Sequence, residues 1–171
     1  MERHSVEAVV RVLNTANVRY LVAGGLAVVA HGHLRFTADV DLILDLEEAN
    51  VVRAIAALQG LGYRPRAPVA FEDFADAGKR AEWMRDRNMV VFSVYSPTHE
   101  ATEIDLFVEP PVEFEAAYRA AARLDVAPGV TATFLGRHDL IRLKREAGRP
   151  QDLLDVEMLA QAEREGADDG E

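Results

Sequence analysis

Residues 20–44 read YLVAGGLAVVAHGHLRFTADVDLIL, and the reading of this stretch decides the fold. The apolar run 18–22 predicts a strand that turns at Gly24-Gly25 into an alanine-rich helix, and a second strand then carries Asp39 and Asp41. Side chains two apart in a strand share a face, so these two carboxylates lie side by side. Adjacent anions repel, and such a pair needs a compensating cation. Hard Mg²⁺ prefers carboxylate oxygens together with substrate phosphates. Having no Cβ, Gly24 and Gly25 let a phosphate approach the backbone where a helix N-terminus offers free N–H groups and a positive dipole end. A phosphate site and a metal site therefore fall within one strand–helix–strand unit.

Downstream, 89–95 and 102–108 are β-rich runs around the turn Pro97-Thr98-His99, which predicts an antiparallel hairpin. By alternation Glu103 and Asp105 share one face and Ile104 and Leu106 the other. A carboxylate between apolar neighbours needs a partner: an arginine, an N-cap, or a metal ion shared with Asp39 and Asp41.

The remaining elements are scaffold. Val6, Val9, Val10 and Leu13 mark 5–17 as an amphipathic helix with Ser5 as its N-cap. Residues 47–59 form a second, ending at Gly60 and Gly62. Pro65 and Pro68 place 63–73 at a sheet edge. The charged run 76–87 is either a solvated helix or a lid offering Lys79, Arg80, Arg85 or Arg87 to phosphate, with Trp83 as a core anchor or a stacking ring. Residues 113–123 read as an alanine-rich helix and 130–135 as a short edge strand. Helices at 137–146 and 151–163 follow, separated by Gly148-Arg149-Pro150. The order predicts an α+β fold, a small mixed sheet with flanking helices plus a C-terminal helix pair. We divide it into a core at 1–126, a helical appendage at 127–162 and an acidic, solvated or disordered tail at 163–171.

Composition bounds the function. With 171 residues and 49% apolar content the chain can bury one sizeable core. It has no cysteine, which excludes disulfides, Cys-ligated zinc and a cysteine nucleophile and suits a cytoplasmic location. The start MERHSVEAVV lacks a signal-peptide pattern, and the apolar patch 21–30 is too short to span a bilayer. A net charge of −10 argues against nonspecific nucleic-acid binding and favours a cationic acceptor or a protein surface, unless a local basic patch overrides it. No G-x-S-x-G elbow, P-loop or H-E-x-x-H spacing occurs, and His31 and His33 straddle Gly32 in a loop.

The ordered set Gly24-Gly25, Arg35, Thr37, Asp39-x-Asp41 and Ile104-Asp105-Leu106 resembles the DNA polymerase beta nucleotidyltransferase superfamily, and within it the small AbiEii-like and lincosamide/aminoglycoside nucleotidyltransferase-like proteins. Many members carry a serine after the first glycine, its hydroxyl touching a phosphate; here Gly25 is followed by Leu26. The resemblance implies transfer of an NMP from an NTP such as ATP to a hydroxyl acceptor, with release of pyrophosphate. Asp39, Asp41 and Asp105 are then the catalytic residues and the ligands of two Mg²⁺ ions. Gly24, Gly25, Arg35 and Thr37 bind the nucleotide, with Arg35 either clamping phosphate or pairing with a carboxylate. In AbiEii-like proteins a lysine and a following aspartate lie in comparable C-terminal helices. Lys144 is thus expected as a rim lysine reaching the phosphates, with little weight in stability, and Asp155 as the residue orienting it; a surface salt bridge is the alternative. The acceptor is an antibiotic, a tRNA end or a partner protein such as a cognate antitoxin. A catalytically inactive domain that binds a nucleotide or protein, as in a toxin–antitoxin pair, is the other reading.

Overall fold

A computed structural model describes residues 3–168. Seven strands form one mixed sheet: β1 (Tyr20–Val22), β2 (Asp39–Leu44), β3 (Arg64–Pro65), β4 (Val91–Tyr95), β5 (Glu103–Phe107), β6 (Ala122–Ala127) and β7 (Val130–Phe134), in the spatial order β3-β4-β5-β2-β1-β7-β6. Two neighbouring pairs, β2 with β5 and β1 with β7, are parallel and the rest antiparallel. The helices are α1 (Arg3–Thr15), α2 (Gly24–Ala30), α3 (Glu48–Gly60), α4 (Ala77–Arg87), α5 (Phe114–Arg119), α6 (Arg137–Ala147) and α7 (Pro150–Asp168). The α+β class, the mixed sheet with flanking helices and the C-terminal helix pair are as the sequence predicts.

The 89–108 hairpin forms as β4 and β5, and Pro65 sits on an edge strand, where a residue without an N–H leaves no ladder bond unmade. On the sheet face away from Asp41, Phe92 of β4 stacks on Trp83 with ring centroids 5.2 Å apart, and Phe71 and Phe74 of a 3₁₀ turn (Phe71–Ala75) close round it. The charge pattern of α4 allows either a solvated helix or a lid. Its Trp83 is buried in this cluster, and Arg80 turns inward to donate to the Phe74 carbonyl at 2.6 Å, so α4 is scaffold on the face opposite the carboxylates.

Three local expectations are corrected. Ser5 lies inside α1, not at its cap, and its hydroxyl meets His99 Nδ1 at 2.9 Å, a tertiary bond that no local pattern encodes. The alanine-rich run 113–123 is helical only through Arg119; residues from Ala122 pair with β7 in a hairpin turned by Pro128-Gly129, with Gly129 at φ +72°. Strand β7 is consequently internal, between β1 and β6, rather than an edge. The sheet thus continues past residue 126, and α6 and α7 alone form the helical pair after it. The backbone of α7 is helical through Asp168, within the stretch read as a tail, and residues 169–171 lie outside the described residues.

Candidate active site

Alternation along β2 puts Asp39, Asp41 and Ile43 on one face. Parallel pairing with β5 sets Asp41 beside Asp105 and Asp39 beside Glu103, so Asp39, Asp41 and Asp105 share that face. Strand β4 continues the first row, placing Ser93 beside Asp105, where the Ser93 hydroxyl donates to the carboxylate at 2.5 Å.

Gly24 makes room for Asp41. The Ala23 N–H donates to the Asp41 carbonyl at 2.9 Å, which brings the turn into β2's ladder, and a Cβ at Gly24 would fall 1.8 Å from Asp41 Oδ2. Gly24 also has φ +59°, a left-handed conformation that only glycine adopts cheaply. Gly25 is hemmed in differently: a Cβ there would meet Thr37 Oγ1 at 2.7 Å and Arg35 Cζ at 3.1 Å. Bare backbone in the first turn of α2, which has no side-chain cap, is thus enforced by the 33–38 loop packed against it.

The opposite wall comes from the helix pair. One cleft of about 560 Å³ is lined by Gly24, Asp41 and Asp105 on the sheet side and by Lys144, Arg149 and Asp152 on the helix side. Lys144 is buried, its ammonium 2.7 Å from Asp155 and 3.0 Å from Asp152. Asp155 is fully buried and also takes the Arg35 guanidinium, while Asp152 takes that of Arg149 at 2.6 Å. Arg35 therefore pairs with a carboxylate, and Thr37 leans on the Asp39 carbonyl at 3.4 Å. Lys144 is neither a rim lysine nor part of a surface salt bridge: α7 packs over it, and Asp155, expected beside it, closes on its ammonium together with Asp152.

Site electrostatics follow from this burial. Desolvation, then the charges of Asp105 and Asp39, push the Asp41 carboxyl up to about 6 despite Lys144 and Arg149 nearby. Burial likewise raises Asp105, opposed by the Ser93 hydrogen bond. Asp152 goes the other way, since hydrogen bonds from Arg149 and Lys144 outweigh its burial and hold it below the usual carboxylate value.

Asp152 and Arg149 are functional candidates that sequence reasoning passed over as polar residues near a helix junction. Their spacing of three on one helical turn was a signal, but the cleft they face exists only once α7 folds back.

Three carboxylates on one face are a hard-oxygen donor set of the kind a divalent cation takes. Among the described residues no group of three or more His, Cys, Asp or Glu side chains is placed to hold a metal ion. With Asp39, Asp41 and Asp105 on one face, the donor chemistry is of the kind by which one or two carboxylates hold Mg²⁺ together with substrate phosphates and water.

A glycine turn seated on a strand aspartate, a second aspartate two residues before it and a third on the parallel neighbour strand make up the layout of a nucleotidyltransferase fold. Two solved structures carry that fold. The crystal structure of the aminoglycoside nucleotidyltransferase ANT(2")-Ia in complex with adenylyl-2"-tobramycin superposes with a TM-score of 0.57 at 15% identity, over 94% of this chain and 88% of that one. The solution structure of the same antibiotic-resistance factor gives a TM-score of 0.57 and 15% identity over 94% and 85%. No protein-family model matches the chain, and no curated protein matches it in sequence. Among the described residues no helix is long and apolar enough to cross a membrane.

Proposed function

We propose that the chain transfers a nucleotidyl group from an NTP to a hydroxyl acceptor and releases pyrophosphate. The observation that carries this reading is the shared face of Asp39, Asp41 and Asp105, of which Asp41 and Asp105 line one cleft with the cations Lys144 and Arg149 of the helix wall. The triphosphate lies between Gly24 and that wall. Its charge is met by Arg149, which is exposed, and by the Lys144 ammonium at the cleft's inner side. Arg35 acts indirectly, holding Asp155 and the loop that keeps Gly25 bare.

Asp39 and Asp41 would hold one Mg²⁺ ion and Asp105 would share a second, supplying charge neutralisation on the phosphates and a lower pKa for the attacking hydroxyl. Asp105, made more basic by burial, accepts the hydroxyl proton. The acceptor oxygen then bonds to the α-phosphorus as the bond to the bridging oxygen breaks, and pyrophosphate leaves along the line of attack.

The test incubates the protein with each labelled NTP, Mg²⁺ and a panel of acceptors that includes tobramycin, RNA and cell extract. Label should appear in an acceptor fraction with equimolar pyrophosphate. A second reading, an inactive nucleotide- or protein-binding module such as half of a toxin–antitoxin pair, draws on the bare Gly25 and on the engagement of both Arg35 and Lys144 by Asp155. Mg²⁺-dependent NTP binding with no pyrophosphate from any acceptor would decide for it.

A further inference from the structure

The register carries the carboxylate face outward to the β3 edge. One row across the sheet runs Asp41, Asp105, Ser93; in the next, Asp39 pairs with Glu103 and Arg64 with Tyr95, and the β4–β5 register, carried one residue past Val94–Ile104, sets Tyr95 toward Glu103. Neighbouring strands lie about 4.8 Å apart, so Tyr95 stands one strand and Arg64 two strands beyond Asp105, on the same side of the sheet. Arg66 joins them: its N–H donates to the Ser93 carbonyl, its guanidinium forks onto Glu103, and it and Arg64 each lie 4.9 Å from the Tyr95 ring centre. Arg66 is near enough to Asp105 for each to feel the other's charge. Glu103 is occupied by Arg66, and among the described residues no carboxylate forms an ion pair with Arg64.

In-line displacement places the acceptor across the α-phosphorus from the departing pyrophosphate. The pyrophosphate side is the helix wall at Lys144 and Arg149, so the acceptor side is this open face beyond Asp105. That assignment rests on the nucleotidyl-transfer reading. We propose that Arg64, Arg66 and Tyr95 form an acceptor subsite for a hydroxyl compound that carries a phosphate ester. A guanidinium is a planar fork that pairs with phosphate oxygens; Arg64 offers that fork, while Arg66, held on Glu103, adds its charge beside it, and both lie against the Tyr95 ring. A polycation like tobramycin, the moiety adenylylated in the neighbour's complex, meets two arginines there and is disfavoured. The overall charge of −10 pointed toward a cationic acceptor, and this local patch is the exception that composition cannot reveal.

The test uses the full chain and fills the nucleotide side first, with Mg²⁺ and the α,β-methylene analogue of whichever NTP binds most tightly; this analogue cannot release pyrophosphate. Ribose 5-phosphate, a short RNA with a free 3′-hydroxyl, and tobramycin are then titrated by calorimetry. A phosphate-bearing probe should bind and tobramycin should not, and R64E/R66Q should weaken that binding at least tenfold while leaving the analogue's affinity within twofold. Binding of ribose 5-phosphate identifies a small phosphate ester as the source, and binding of the RNA alone identifies a strand end. Tighter binding of tobramycin, no binding of either phosphate probe, or equal binding by the variant overturns the subsite. Failure of every NTP analogue to bind would instead refute the nucleotide reading, and the same probes on the free protein would still decide whether the arginines select phosphate.

Discussion

Gly24 and Asp41 behave as one unit, because the carboxylate occupies the space where any other residue at 24 would put its Cβ. Gly24→Ala should therefore displace Asp41 and also carry about 1–2 kcal/mol of left-handed strain. Urea unfolding should show a loss of at least about 2 kcal/mol, and nucleotide binding should weaken with it. Asp41 also sets a pH dependence. With its carboxyl raised from 3.8 to about 6, the native state keeps a proton that the unfolded chain has already released between those values. Stability then falls as pH rises through that window, by on the order of 2 kcal/mol, and Asp41→Asn should flatten the profile. Mg²⁺ needs the ionised carboxylate, so its stabilising effect in thermal melts should be greater at pH 7.5 than at pH 5. Lys144→Ala should weaken NTP binding by about 1–3 kcal/mol and should also destabilise the fold by about 2–3 kcal/mol, since it strips a cation from two buried aspartates that keep Arg35 and Arg149. The i, i+2 rule made the shared face of Asp39 and Asp41 legible in the sequence. The burial of Lys144 was not, because its partners come from a helix whose packing direction no local spacing specifies.

At the level of elements, period and punctuation located the carboxylate strands and the β4–β5 hairpin, since alternation and turn residues act locally. Strand β6 was hidden by alanines that suit a helix; the alternation of Leu124 and Val126 with Arg123 and Asp125, ahead of Pro128-Gly129, was the signal that outweighs them. For α4, charge said solvated while Trp83 said buried, and the aromatic cluster on Phe92 decides. Trp83→Ala should cost about 3–5 kcal/mol in denaturant unfolding and leave NTP affinity unchanged in the folded protein, because α4 is on the far face of the sheet. A large loss of NTP affinity with stability intact would return α4 to the role of a lid.

Across the whole molecule the sheet separates a structural face from a chemical one. The structural face packs aromatic residues under α4; the chemical face carries acidic residues at its centre, with cations on both flanks. Arg35, Lys144 and Arg149 converge on Asp152 and Asp155 and join the helix pair to the 33–38 loop, so the C-terminal helices complete the cleft rather than merely decorate it. Net charge averages these opposed regions away, so composition alone cannot locate them. The central claim is that the carboxylate face performs transfer, and the most direct measurement is pyrophosphate release by wild type, Asp41→Asn and Asp105→Asn with the cognate NTP, Mg²⁺ and acceptor, each variant checked for folding by circular dichroism. The account predicts Mg²⁺-dependent release by wild type and a loss of at least about a hundredfold in both folded variants. Release that persists in Asp41→Asn, or that needs no divalent cation, would contradict it.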